Sequence, residues 1–452
     1  MMKRRGRLGI LLAAAVMFLV AVLSGCTNDE QGGNGKEKPL KIAISSKDFY
    51  EFAYKDYIEA AFPELKVQLI ELEPDYKTQV SDDDYIAAIK REKPDLILTS
   101  SWRYDMLAES GILTDLSVRL TDSGMKEDDF YPGMIEWMKR PGDGKLYGLA
   151  PDFQSAVLYY NADLFEQYKI DPPQEGMTLA EVYELGSRFV DQGGGKDGVV
   201  GFHQQYINQP HDMLDSFARS EGIRMVDYAK GKITMDTPLW RDKVQTIIKL
   251  YRNGTLSLNR TKGEVIDDVV TYGKEAAEAG DLFGKGKAAM TIVYYNDGNS
   301  YPFEVGTVTP PVSSSDRGRT SSIYVFDAMA IPADSANAAV AWDVIRFMTS
   351  DHMAKVKARL GTGMEGFSVR RTYVEYKQDP LIGKLFELMP VQTPANSTGD
   401  VDTQKFNPLF QELVNREVEA AVSEGKSTED VIRTIQKDGQ LLLDAAISIS
   451  KK

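Results

Sequence analysis

Cysteine is almost absent from this chain. Cys26 is the single cysteine in 452 residues, so no intramolecular disulfide can form. Histidine is nearly as scarce. His203, His211 and His352 are the whole supply, none forms a His-x-x-x-His pair, and no second cysteine completes a zinc site, so no metal is expected. Positive charge is in deficit: 53 Lys and Arg against 67 Asp and Glu leave a net charge of −14, which repels nucleic acid and anionic lipid headgroups. Catalytic motifs are missing as well. Gly425-Lys426-Ser427 carries the last residues of a phosphate loop, but Ala420 stands where a glycine is required and the segment falls between two predicted helices. Ser423-x-x-Lys426 and Ser448-x-x-Lys451 occur without Ser-Asp-Asn or Lys-Thr-Gly, and there is no Gly-x-Ser-x-Gly elbow. Ser81-Asp82-Asp83-Asp84 lacks calcium-loop spacing and reads as a solvated helix start. These absences argue for a binding module rather than an enzyme. A carboxylate pair for glycoside hydrolysis stays open, because Asp and Glu abound.

What the chain does have begins at its N-terminus. Lys3, Arg4, Arg5 and Arg7 precede an apolar run from Leu8 to Leu23, too short to span a bilayer comfortably, and then small residues. That order is the layout of an export signal. Leu23-Ser24-Gly25-Cys26 resembles the lipobox of bacterial lipoproteins. The resemblance implies that residues 1–25 are removed and that Cys26 is diacylated, two acyl chains being enough for stable anchoring. Residues 26–39 have no apolar residue to bury and are rich in Gly and polar groups, so they read as a flexible tether. The protein is then expected at the extracellular face of the cell membrane. The remainder, 42% hydrophobic and 27% charged over the whole chain, is ordinary for a globular protein and too long for one core, so two lobes are expected.

Leu40-Lys41-Ile42-Ala43-Ile44-Ser45 alternates as a strand, Phe49 to Phe62 has helical spacing ended by Pro63, and Lys66–Leu72 is a second strand. The helix around Tyr85–Ile89 and the buried-looking strand Pro94–Ser100 complete a strand–helix alternation that predicts a parallel sheet. Extended pieces follow at Gly144–Pro151 and Ser155–Asn161, a mostly helical stretch over 179–251, and strands at Thr291–Tyr295 and Asp327–Pro332. Helices are predicted for Ala336–Met348, Lys405–Ser423 and Thr428–Ser448.

Three segments, in this order, resemble the extracellular solute-binding proteins of ABC importers, in the maltose-type branch. They are Gly144-Lys145-Leu146-Tyr147-Gly148-Leu149 with Leu158-Tyr159-Tyr160-Asn161-Ala162-Asp163-Leu164-Phe165; Phe283-Gly284-Lys285-Gly286-Lys287-Ala288-Ala289-Met290; and Ala328-Met329-Ala330-Ile331-Pro332 with Trp342, Ile345, Phe347 and Met348. The resemblance implies an α/β, two-lobed, periplasmic-binding-protein-like fold of type II. Each lobe would be a mostly parallel sheet flanked by helices, with three hinge crossings. It places 40–150 and 295–350 in the N-terminal lobe and 151–294 and 351–452 in the C-terminal lobe. It implies a monomer without cofactor that closes on a sugar and delivers it to ABC permease subunits. A sensor that hands the ligand to a membrane kinase, or a receptor for a non-sugar solute, would share the same sequence signature.

Ligands of α/β sheets collect beyond strand ends. The candidate binding residues are therefore Ser46 and Phe49; Ser101, Trp102 and Arg103; Asp152, Phe153 and Gln154; Tyr294, Tyr295, Asn296 and Asp297; and Tyr324 with Phe326 around the Asp327 strand. Aromatic faces suit the apolar face of a sugar ring, and the polar side chains suit its hydroxyls. For each aromatic the competing reading is core or hinge packing. Trp240 and Trp342 lie in helical patterns and read as core, and Trp137 as part of a turn.

Overall fold

The computed structural model describes residues 38–73, 80–141, 144–258, 263–266, 269–360, 366–391 and 401–450. The export signal, Cys26 and nearly all of the tether lie outside the described residues. No described helix is long and apolar enough to cross a membrane.

The alternating Leu40–Ile44 segment forms β1, which pairs in parallel with β2 (Val67–Glu71) and with β3 (Leu96–Ser100). Between β1 and β2 runs α1, residues 47–61, whose middle turn, Glu51–Lys55, is π-helical. α2 (Asp82–Glu92) returns the chain from β2 to β3. Its start is the acidic run: Ser81 Oγ accepts from the Asp84 amide at 3.1 Å, and three aspartates occupy the positive end of the helix dipole. α3 (Ser101–Glu109) leaves β3 with no intervening loop. β4 (Gly148–Leu149) closes one edge of this sheet, and its centre is filled from far away by β10 (Asp327–Ala330), antiparallel to both β3 and β4. The order is β2-β1-β3-β10-β4.

β5 (Asp152–Asn161) is ten residues long and holds the second sheet together. β7 (Ala288–Tyr294) and β8 (Val305–Val308) flank its C-terminal half, both antiparallel, and β6 (Val200–Phe202) pairs in parallel with β7. Its N-terminal half pairs with β9 (Ile323–Tyr324) and β11 (Phe367–Ser368). Parallel pairing is thus restricted to β1, β2 and β3 in the first sheet and to β6 and β7 in the second. A strand that re-enters a sheet from the other lobe is not delivered by a crossover helix, so nothing compels it to run parallel.

Two hydrophobic cores form, and the second sheet contributes to both: Val157, Tyr159 and Ala288 face the first, Leu158, Ala289 and Met290 the second. The first gathers β1, β3, β10, α4 (Ala338–Met348) and α5 (Asp351–Leu360) around Ile42, Leu96, Met329 and Ile345. The second gathers helices Leu179–Asp191, Pro210–Glu221 and Pro238–Arg252 with α6 (Thr403–Glu424) and α7 (Thr428–Ser450). Trp240 and Trp342 are buried in these cores. Among the described residues the chain passes between sheets from Leu149 to Asp152 and from Tyr324 to Asp327, in a two-lobed α/β fold.

The lobe boundaries differ from the expected ones in two places. Val305–Val308 pairs with β5, so the return to the first sheet comes at Asp327 rather than near residue 295. Met353 and Ala354 of α5, with Tyr373 and Phe386, fall in the first core, so α5 does not pack with the C-terminal helices. Both segments lack a periodicity that names a partner sheet; the choice is made by which apolar face is left uncovered.

Candidate functional site

Where β5 leaves the first lobe, a cavity of about 940 Å³ opens between the two sheets. Its first wall comes from the C-terminal ends of β1 and β3 and from α1, its second from Asp152 and Gln154 of β5 and the end of β7, and its floor from Phe326 and Asp327. Phe49, Phe52, Trp102, Tyr294 and Phe326 line it and stay well exposed. Large aromatics open to water around one cavity are a mark of recognition, because packing alone would have covered them.

Local backbone geometry decides which candidates reach this space. Trp102 and Arg103 are consecutive in the first turn of α3, and consecutive helical residues point about 100° apart. Trp102 lines the cavity and is 57% exposed. Arg103 turns inward and is 1% exposed, so it is corrected from a ligand contact to a support. Its guanidinium bonds Glu73 at 2.7 Å, Asp82 at 2.5 Å and the Val80 carbonyl at 2.6 Å, and lies 4.0 Å from the centre of the Trp102 ring. One face of the indole is thereby braced.

The same correction applies on β5, where side chains alternate between faces. Asp152 and Gln154 face the cavity, whereas Phe153 is fully buried. Phe153 stacks on Tyr131 at 4.5 Å and packs against Phe367 and Phe386. The segment reads as a loop between two extended pieces in the sequence, but strand pairing with β11 begins already at Asp152.

Tyr295 and Asn296 line the cavity just past the end of β7. Tyr295 donates to Asp379 at 2.5 Å and stacks on Phe367, and Asn296 Oδ1 accepts from the Gly298 amide at 2.8 Å. Asp297 is held by Lys377 at 2.6 Å. Tyr324 lies outside the main cavity, in a small adjoining pocket with Gln204 and Arg219. Its ring meets Tyr294 edge-on at 5.4 Å and Phe326 at 6.4 Å, extending the aromatic wall. Ser46 caps α1, and Ser101 lines the cavity.

At the floor, two carboxylates meet partners that the sequence does not point to. Asp327 accepts from the Tyr54 hydroxyl at 2.8 Å, and Asp152 is paired with the buried amine of Lys357. Burial, reinforced by the neighbouring Asp152 charge, pushes the Asp327 carboxyl up to about 7, against the opposing effects of the Tyr54 bond and Lys357. Burial drives the Tyr54 hydroxyl well above its ordinary value. Tyr54 sits in the π-helical turn, which carries an extra residue per turn and so offsets its neighbours from regular helical positions; such turns concentrate at functional sites. Lys357 arrives from α5, about two hundred residues after Asp152. Asp152 is a sequence candidate and Asp327 starts a strand flanked by aromatics, whereas Tyr54 and Lys357 carry no such signal. Among the described residues no cluster of His, Cys, Asp and Glu could hold a metal ion.

An exposed aromatic cleft at the seam of two α/β lobes defines a two-lobed binding protein. Residues 44–355 match the family of bacterial extracellular solute-binding proteins, and the chain belongs to that family. It is 21% identical over 378 residues to the sn-glycerol-3-phosphate-binding periplasmic protein UgpB of Rhizobium meliloti, covering 80% of this chain and 84% of that one. It is 25% identical over 215 residues to UgpB of Brucella abortus, so it spans only 45% of the length of that relative. Its fold is similar to the sugar-binding protein MalE of Xanthomonas citri (TM-score 0.61, 15% identity, 92% and 100% of the two chains). It is likewise similar to maltose-bound MalE3 of T. maritima (TM-score 0.53, 20% identity, 89% and 99%).

Proposed function

We propose that this protein is the solute-binding component of an ABC importer, that it captures a sugar, oligosaccharide or sugar alcohol by hinge closure, and that membrane permease subunits receive the closed form. The aromatic-walled cavity over a carboxylate floor is the observation that carries this reading. Trp102, Phe49, Phe52, Tyr294 and Phe326 offer apolar faces to a ring, and Gln154, Asn296 and the two aspartates offer partners for its hydroxyls. The names of UgpB and of the maltose-bound neighbour point to polyhydroxy solutes and their phosphates. The cavity lies between lobes that touch a ligand from both sides, so a ligand favours the closed state by its contacts to the second lobe.

Thermal unfolding of the purified protein against a broad panel of mono- and oligosaccharides and alditols tests the reading. A ligand present at 100 times its Kd should stabilise by about 2.7 kcal/mol. Stabilisation by an unrelated solute and by no member of the panel would sink the carbohydrate part. Turnover of a glycan would sink the transport reading. We further propose that the chain acts as a monomer tethered through lipidated Cys26 at the outer face of the cell membrane. Cys26→Ala should release it from the membrane fraction and abolish incorporation of labelled palmitate.

A further inference from the structure

The charged side chains that line the cavity, among the described residues, are Asp152, Asp327 and Lys357. Lys357 is already committed to Asp152, and both groups are largely shielded from water, so that pair presents almost no net charge to a solute. Asp327 differs: its bond is to the neutral Tyr54 hydroxyl, and no ion pair to it occurs among the described residues. The nearby guanidinium groups are committed elsewhere. Arg103 turns away to Glu73 and Asp82, and Arg219, in the adjoining pocket, pairs with Asp215. A phosphate entering the cavity would meet a carboxylate and no uncommitted cation. A hydroxyl would meet an acceptor that lacks a charged partner.

We propose that Asp327 is a specificity-determining residue that reserves the cavity for uncharged polyhydroxy solutes and rejects their phosphate esters. This deepens the carbohydrate reading above and rests on it. It also separates the chain from the glycerol-3-phosphate-binding proteins it resembles, whose ligand is an anion by name. The groups facing Asp327 are Tyr54 from the π turn, Asp152 from β5, Lys357 from α5 and Ser100 from β3, its partner in register. With burial and Asp152 holding the carboxyl near 7, Asp327 gains its full charge only at alkaline pH. Rejection of anions should therefore sharpen as pH rises through that value.

The test is calorimetric titration of the full chain at pH 5.5 and pH 8.5. The probes are sn-glycerol 3-phosphate, glucose 6-phosphate, glycerol, glucose and the sugar panel, applied to wild type and to Asp327→Asn with folding checked by circular dichroism. At pH 8.5 the wild type should bind the neutral sugar that stabilises it at least about 100-fold more tightly than either phosphate ester. Asp327→Asn should narrow that ratio about tenfold or more and flatten its pH dependence, which a purely structural residue would not do. Submillimolar binding of sn-glycerol 3-phosphate to wild type at pH 8.5 overturns the charge selection whatever the sugars do. An unchanged ratio in Asp327→Asn overturns the part given to Asp327. A neutral solute outside the panel that binds while phosphates do not overturns the carbohydrate reading and leaves the rejection of phosphate standing. No response from any probe with either protein overturns the carbohydrate reading and this proposal with it.

Discussion

At Trp102 the indole lies against a buried guanidinium on one face and against open solvent on the other. The ring has little to lose in the free protein and much to bury in a complex. Trp102→Ala should leave the unfolding midpoint within about 1–2 °C of wild type while weakening the ligand about 10–100-fold, as expected for an aromatic anchor. Arg103→Ala should behave in the opposite way. It strips Glu73 and Asp82 of their cation and removes the brace behind Trp102, so a loss of about 2–4 kcal/mol is expected in urea unfolding, somewhat below a fully buried pair because Asp82 is solvent-exposed. Lysine should not restore it, since one ammonium cannot reproduce the fork that meets both carboxylates and the Val80 carbonyl. Asp327 supplies a pH signature. Its folded value near 7 lies above that of an unfolded aspartate, so its contribution favours folding at low pH and is lost between about pH 4 and pH 7 as the buried group is forced to ionise. Asp327→Asn should raise the unfolding midpoint at pH 8 and leave it nearly unchanged at pH 4; an equal shift at both would refute the buried-charge account.

At the scale of elements, β5 sorts its residues by face. Asp152 and Gln154 look into the cavity while Phe153 between them fills the core. Phe153→Ala should therefore cost about 3–5 kcal/mol through the void it leaves among Tyr131, Phe367 and Phe386. Gln154→Ala should cost under about 1 kcal/mol and be felt instead in ligand affinity. The pairing of β11 with β5 depends on Gly366, whose φ of 72° is left-handed and whose missing Cβ would fall 2.4 Å from the Phe153 carbonyl oxygen. Gly366→Ala should cost about 1–3 kcal/mol and disturb the cavity floor beside Asp152, which a fall in both midpoint and affinity would reveal. The helix that carries Trp102 was legible as a strand end but not as an immediate helix start. The face each residue takes follows from that start.

For the whole molecule, the described crossings at Leu149–Asp152 and Tyr324–Asp327 run beside the cavity, where a hinge would have to act. Small-angle scattering with and without the stabilising sugar should show a smaller radius of gyration in its presence. An unchanged curve at saturation would argue that the solute is held without closure.

Alternation in 40–100 determined an α/β sheet, because hydrophobic period is a local property of a chain; length implied two lobes, and the resemblance carried by the ordered motifs implied the type II class. Candidate aromatics and amides could be named from the sequence only as residues that follow predicted strands. Tertiary structure alone decided that Val305–Val308 joins the second sheet and α5 the first core, since an apolar face does not name its partner. It alone decided that Arg103 and Phe153 turn away while Tyr54, Asp327 and Lys357 meet. Those three converge from residues about three hundred apart, and no local pattern records a contact made only when two distant segments pack against the same strand.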